Sequence, residues 1–464
     1  KATNSAIDVA SGQYIALLDH DDMLAKHALY FAAEAIEKNP ELKIVYSDED
    51  KIDLEGNRIN PHFKSDWNPD LFFSQNYVSH LGVYDATIIK KIGGFRAGVE
   101  GSQDQDLLLR CLPHVKDEEI YHISKVLYHW RMLEGSTALQ SGEKSYTTKA
   151  GIKALTDYFQ ENGPEGVTVE AGSLPNTYKV NWPLPNPEPR VTLLIPTRDR
   201  KDMTEVAVRS ILDRTDYPNY EIVILDNGSV EPVTLKFFED IQREDNRVRV
   251  LRYDYPFNYS AINNFGVQNT KGDIVGLINN DIEVINSGWL SEMVSLSVRS
   301  EIGCVGAKLY YSNDLIQHAG VILGIGGVAN HSHKMFSRKS FGYFGRLACR
   351  QNLSAVTAAV LLVKRSVYES VGGLEESLKV AFNDIDFCLK VREQGLKNIW
   401  TPYAELYHYE SISRGKEDTP EKKERFSKEV AYMERTWGKQ LLADPFYNIN
   451  LTRKREDFSL GTLD

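Results

Sequence analysis

The chain has 464 residues, 42% of them hydrophobic and 26% charged, a composition ordinary for a folded globular protein and a length that suits two or three domains. Its formal net charge of −11 implies no large basic surface and so argues against nucleic acid as the main partner, while leaving room for local basic pockets that hold phosphate. Four cysteines, Cys111, Cys304, Cys349 and Cys388, form no CxxC pair and no disulfide framework, which fits a reducing compartment, and the longest apolar run, residues 355–363, is too short to span a bilayer.

No signal peptide opens the chain, and Lys1 falls at the start of a helix-like segment, so the chain is expected to begin inside a domain. Residues 1–18 pattern as a short helix carried by Ala2, Ala6, Val9 and Ala10, then a strand over 14–18. Asp19-His20-Asp21-Asp22 stands at the strand end. A helix is expected over roughly 26–38, stopped by Asn39-Pro40. Ile44-Val45-Tyr46 reads as a strand running into Ser47-Asp48-Glu49-Asp50, which suits a second metal site or, better, a solvated turn. Residues 60–68 mix His62, Phe63, Lys64, Asp66 and Trp67; such a loop can grip a sugar by stacking and hydrogen bonding, or simply pack. Residues 76–95 read as strand, helix and a Gly-Gly turn. Asp104 and Asp106 open a helix continued by Leu107, Leu108 and Leu109, where one carboxylate can cap N–H groups while the other faces a cleft. A strand over 125–128 delivers His129, with Trp130 and Arg131 behind it, and a helix near 147–160 follows. Residues 161–189, with Gly163-Pro164, Pro183, Pro185, Pro187 and Pro189, are expected to form a stiff, extended linker.

Residues 191–195 then form a buried strand, followed by Pro196-Thr197-Arg198-Asp199. A helix over 206–212 leads to a strand over 222–225 that ends in Asp226-Asn227-Gly228-Ser229. Strand, helix, strand, with polar residues at each carboxyl end, is half of a parallel α/β sheet that binds nucleotides in its crevice. The chain has no GxGxxG and no P-loop signature, which removes the dinucleotide and P-loop readings. Asp226 can accept from a base N–H or a ribose hydroxyl, or close an ordinary turn. The apolar run Ile274, Val275, Leu277, Ile278 stops at Asn279-Asn280-Asp281, where a carboxylate and two amides suit a hard cation and its anionic ligand. Residues 320–333, glycine-rich and flanked or occupied by His318, His331 and His333, read as a mobile loop rather than a zinc site. A strand over 354–363, Asp384/Asp386, His408 and a helix over roughly 420–441 complete the chain; its stripe of Phe426, Val430, Met433, Trp437 and Leu441 is expected to dock on the core.

The stations recur. Asn264, Gly272, Asn279 and Asp281 repeat Asn4, Gly12, Asp19 and Asp21 at a constant offset of 260. Gly373 repeats Gly94, and His408 repeats His129, both at an offset of 279. Asn383-Asp384-Ile385-Asp386 mirrors Gln103-Asp104-Gln105-Asp106. A turn has no reason to recur with its distant partners, so the pattern reads as a duplicated domain with a functional site. A first partial domain over 1–160, the linker 161–189 and a second, complete domain over 190–464 are expected. The second copy has 88 residues between its first strand and Asn279, whereas the first has 18 before Asp19 and so lacks its nucleotide half.

Together these stations resemble the family 2 nucleotide-sugar glycosyltransferases, bacterial polysaccharide and O-antigen type. Pro256-Phe257-Asn258-Tyr259-Ser260, residues 354–358 and His408-Tyr409-Glu410-Ser411 carry the same likeness. The resemblance implies an α/β chain of two GT-A domains, Rossmann-like, the first truncated at its N-terminus. It implies a metal–diphosphate motif at Asn279-Asn280-Asp281 and Asp19-His20-Asp21, with Asp281, His408, Asp21 and His129 on Mn²⁺ or Mg²⁺. Pro196, Thr197, Arg198, Asp199, Asp226, Asn264, Asn279, Asn280 and Asp19 are the implied nucleotide contacts. Asp384 and Asp104 are the implied catalytic bases; His333, Trp130 and Trp67 are the acceptor-side candidates. Asn279 departs from the usual Asp, which leaves Asp281 as the main metal ligand.

The implied reaction is inverting, metal-dependent transfer of a sugar from a UDP- or dTDP-linked donor to a glycan or lipid-linked glycan, in the cytoplasm, with room for peripheral association at the inner face of the membrane. One displacement needs one base and no second nucleophilic carboxylate. A glycoside hydrolase would need no strand-end nucleotide pocket, and a nucleotidyltransferase should carry a glycine-rich phosphate loop. A non-catalytic sugar-nucleotide or glycan-binding role for one or both copies is the competing expectation.

Overall fold

The computed structural model describes residues 2–132, 144–409 and 419–461. Its second half is built on a ten-stranded sheet. Val191–Thr197, Tyr220–Asp226 and Val248–Arg252 are short, β-rich apolar runs separated by helices Lys201–Arg214 and Pro232–Glu244, and such alternation makes parallel neighbours. Ile274–Ile278 adds a fourth parallel strand beside Val191–Thr197. Beyond it the sheet turns mixed: Val360–Lys364 runs antiparallel, followed by Ile302–Tyr310, Lys397–His408 and Ile282–Val284. The central strands are buried on both faces, so they read as unbroken apolar runs rather than alternating ones.

The first half is a smaller sheet in the order Tyr14–Ala16, Gly82–Asp85, Ile44–Ile52, Ile120–Arg131, Met23–Leu24, with Arg58–His62 beside Ile44–Ile52. That order repeats Ile274–Ile278, Val360–Lys364, Ile302–Tyr310, Lys397–His408, Ile282–Val284, with the same parallel and antiparallel senses. The paired asparagines act alike as well. Asn4 exchanges two hydrogen bonds with the backbone of Phe95, at 2.8 and 2.9 Å, and Asn264 does the same with Leu374 at 3.0 Å each. Gly94 and Gly373 sit under these asparagines with φ of +66° and +73°; a Cβ would come within 2.8 and 2.6 Å of the amide oxygen, so only glycine fits. Among the described residues, the first sheet has no counterpart of Val191–Thr197, Tyr220–Asp226 and Val248–Arg252.

Several expectations need correction. The acid run at 47–50 is no solvated turn: the strand continues to Ile52, and Asp48 and Asp50 are buried. Asp48 is met by His122 Nε2 (2.8 Å) and Asn448 Nδ2 (3.0 Å), both distant in sequence, and Asp50 by the distant His129 Nδ1 (2.6 Å) and by Arg58 Nε (2.6 Å) on the next strand. The stretch 161–189 is not simply extended, because Thr168–Ala171 and Tyr178–Asn181 pair as a hairpin whose Tyr178 and Val180 are buried in the core of the first sheet. Residues 320–333 are likewise a hairpin, Val321–Leu323 against Ala329–His331. Asp106 caps nothing; it is buried between Arg96 (2.6 Å) and Arg110 (2.9 Å).

The loop 60–68 packs, and what it packs against is the other half. Asn68 exchanges two 2.9 Å hydrogen bonds with the backbone of Asn352, Asp70 pairs with Arg299 at 2.6 Å, and the His62 ring stacks on Phe344 at 3.8 Å. The final helix, Pro420–Leu442, docks through Met433, Trp437 and Leu441 as its stripe predicts, although Phe426 stays 40% exposed. Among the described residues, no helix is long and apolar enough to cross a membrane.

Candidate active site

Buried strands of the second sheet end where their apolar runs end, and the polar residues that follow collect around a cavity of about 840 Å³. Pro196, Thr197 and Arg198 come from the first strand, Asn279, Asn280 and Asp281 from the fourth, and His408 from the end of Lys397–His408. Asp384 enters from the first turn of helix Asn383–Glu393. Antiparallel pairing of Ile282 with His408 brings the imidazole against the motif. Asp281 Oδ1 lies 3.2 Å from His408 Nε2, and Asn279 Nδ2 lies 3.1 Å from the same nitrogen. Asn280 ties the motif to the nucleotide-half strands by donating to Thr197 Oγ1 at 2.9 Å.

Asp384 accepts from the backbone N–H of Ala358 (3.0 Å) and of Ile385 (2.9 Å). Burial pushes its carboxyl above the usual carboxylate range, while the hydrogen bonds from Ala358, Thr357 and Ile385 pull the other way. Two residues on, Asp386 points into the core and accepts from Trp437 Nε1 at 2.8 Å. The i,i+2 spacing thus gives one carboxylate to the cavity and one to the packing.

Whether a cation suits this site is decided by its donors. A carboxylate oxygen and an imidazole nitrogen approach to 3.2 Å with low exposure, and both are acceptors when deprotonated. An oxygen-plus-imidazole pair fits a divalent cation with coordination positions to spare.

Other expected contacts are engaged elsewhere. Asp199, in a left-handed turn (φ 53°), accepts from the N–H groups of Val230 and Glu231 at 2.8 Å each and so pins a loop. Asp226 is bound to Arg252 (2.6 Å) and Ser229 N (2.8 Å), and Asn227 lines the cavity in its place. Asn264 holds the glycine turn described above. His333 is buried, stacked on Phe458 at 4.3 Å and bonded to Ser332 and Tyr343, so it is packing and not an acceptor contact. Trp67 donates to Asp117 at 2.8 Å, in the first half. Arg200, Phe257, Gln317, His331, Thr357 and Phe382 line the cavity without having been singled out as contacts; only Phe257 and Thr357 lay in motifs that carried the resemblance.

In the first sheet the stations rearrange. Met23 pairs with His129 as Ile282 pairs with His408, which puts Asp22 rather than Asp21 where Asp281 stands. His129 gives Nδ1 to Asp50. Among the described residues, the group of three metal-type side chains is Asp19, Asp22 and His80, with ligand atoms within 4.8 Å of one another. Asp104 is raised by burial, with His80 lowering it and Asp19 raising it further, so it faces this group. Trp130 stands beside His80, ring centroids 5.6 Å apart. Of the quoted motif 408–411, Glu410 and Ser411 lie outside the described residues.

Residues 192–372 match the family model described as Glycosyl transferase family 2. The matched residues include Pro196, Thr197, Asn279, Asn280 and Asp281 of the cavity, while Asp384 and His408 lie beyond them. The whole chain is 52% identical, over 463 residues, to the uncharacterized protein y4gI of Sinorhizobium fredii, of which it spans 51%. Over 99% of its length it is 36% identical to the O-antigen biosynthesis protein RfbC of Myxococcus xanthus, of which it spans 35%. The chain thus spans about half, or less, of these relatives. A solved structure of GalNAc-T7 with UDP, GalNAc and Mn²⁺ aligns at a TM-score of 0.45 and 14% identity, covering 57% of this chain and 51% of that one.

Proposed function

We propose that the second half catalyses inverting, metal-dependent transfer of a sugar from a nucleoside-diphosphate sugar, UDP- or dTDP-linked, to a glycan or lipid-linked glycan in bacterial surface polysaccharide synthesis. The observation that carries this is the convergence of Asp281, His408 and Asp384 with the strand-end residues Thr197 and Asn280 on one cavity. A cleft of that volume accommodates a nucleotide sugar. The similarity to an O-antigen biosynthesis protein supports the pathway class.

Asp281 and His408 would hold Mn²⁺ or Mg²⁺, which when bound supplies positive charge to the departing diphosphate. Arg198 and Arg200 add fixed positive charge at the same rim. Asp384 takes the proton of the attacking acceptor hydroxyl; its two N–H partners and the Thr357 hydroxyl fix its direction.

The first sheet is proposed as the second member of a tandem pair that contributes no nucleotide pocket in this chain. Asp19, Asp22, His80 and Asp104 give it a polar cluster, but its described residues lack the three parallel strands that shape the nucleoside cleft. Measuring nucleoside diphosphate release with a panel of UDP- and dTDP-sugars, with Mn²⁺ or with chelator, tests the transferase reading. Release that needs metal supports it. Saturable glycan binding without any release would favour a binding module.

A further inference from the structure

We propose that His331 is a sugar-hydroxyl contact of this cavity, a neutral N–H donor whose tautomer is set by His318 behind it; the proposal rests on the transferase reading above. His318 ends the strand Ile316–His318 and is fully buried. Its Nε2 accepts from the backbone N–H of Gly320 (3.3 Å) and of Thr357 (3.4 Å). A backbone N–H can only donate, so this nitrogen carries no hydrogen and the ring hydrogen sits on Nδ1. That Nδ1 lies 2.7 Å from Nδ1 of His331, which must therefore accept. The hydrogen of His331 is thereby confined to Nε2. Burial, and then the nearby His331 and His408, hold His318 well below the ordinary histidine range, so it stays a neutral donor.

His331 lines the cavity on the strand Ala329–His331, together with Thr357 and Asp384. Thr357 links the two sides: its N–H goes to His318, and its hydroxyl goes to Asp384. One loop thus orients both the N–H donor and the proposed base. A neutral N–H adds no charge for a diphosphate, a task that Arg198 and Arg200 already fill. It suits an uncharged oxygen, which in a sugar-transferring cavity is a pyranose hydroxyl, from the donor sugar or from the acceptor glycan. His318 is then a positioning residue that acts through His331.

The test is long-range proton–nitrogen NMR on the whole chain with ¹⁵N-labelled histidine rings, at pH 7 and with Mg²⁺. Without ligand, His318 should show its hydrogen on Nδ1 and His331 on Nε2. His318→Phe should turn His331 into a tautomer mixture, and His318→Asn, whose amide N–H stands near the lost Nδ1, should restore it. UDP or dTDP alone should leave His331 Nε2 unshifted. A shift on adding UDP-glucose or dTDP-glucose assigns the hydroxyl to the donor; a shift only when methyl glucoside joins the diphosphate assigns it to the acceptor. Hydrogen on Nδ1 of His331, an equal shift with the diphosphate alone, or no shift with either sugar would overturn the proposal. The tautomers are read without ligand, so they stand or fall apart from the transferase reading. If nucleotide sugars shift no cavity histidine, His408 included, that reading fails too.

Discussion

Asp384 is held between two opposed effects, burial that favours its proton and hydrogen bonds, those from Ala358, Thr357 and Ile385 foremost, that favour its charge. A base must be unprotonated to act, so kcat should fall as pH drops through its pKa. Because burial wins, that acid limb should lie above the range of an exposed aspartate, and a pH–rate profile with its limb at ordinary carboxylate pH would contradict this. Asp384→Asn should lower transfer by about 10²–10⁴-fold, read as nucleoside diphosphate release, while leaving diphosphate affinity nearly unchanged, since the base touches the acceptor. Asp281 acts through the cation. Asp281→Ala should weaken diphosphate binding in Mn²⁺ and matter little in chelator, and equal losses in both would make its role structural. At this scale the strand-end stations were legible because a buried apolar run has to stop at them. Asp226 and Asn264 were not, because the groups that occupy them, Arg252 and the Leu374 backbone, sit 26 and 110 residues away. The acids at 48 and 50 misled for the same reason, since one partner of Asp48 is 400 residues distant.

The last helix holds the helix Asn383–Glu393, which points Asp384 into the cavity, from behind. Trp437 donates to Asp386, and Glu429 accepts from the N–H groups of Val380 (3.0 Å) and Ala381 (3.3 Å), just before the turn at Phe382. Trp437→Ala removes a buried ring and a hydrogen bond to a buried carboxylate, at a cost of about 3–5 kcal/mol. Urea denaturation should show that loss, and transfer should fall more than diphosphate affinity, because the helix Asn383–Glu393 packs on Ile302–Tyr310 and Lys397–His408 while the nucleotide strands lie toward the other edge of the sheet. Unchanged midpoint and rate would show that the helix does not support the site. The stripe on this helix was legible as docking, since its period is that of a helix face. The hairpins at 168–181 and 321–331 were not, because the prolines around the first and the glycines within the second point to a linker and a loop, and their strands are only four and three residues long.

Buried polar pairs join the two sheets. Asp70 and Arg299 are both buried there, and Arg299 also lies over Trp182 at 4.0 Å. Asp70→Ala leaves the guanidinium without its carboxylate and should cost about 3–5 kcal/mol, read as a lower urea midpoint for the whole chain; a loss confined to one half would mean the halves fold independently. The repeat in strand order could be anticipated from the spaced stations, since matched positions 260 and 279 residues apart require matched topology. What spacing could not give was the one-residue register difference that favours Asp22 over Asp21. The central claim is that this chain binds a sugar nucleotide in the cavity of its second half. Titration calorimetry with UDP or dTDP in Mn²⁺ should give about one site per chain, kept in Asp21→Ala and lost in Asp281→Ala. Two sites of similar affinity, or binding that survives Asp281→Ala, would contradict it.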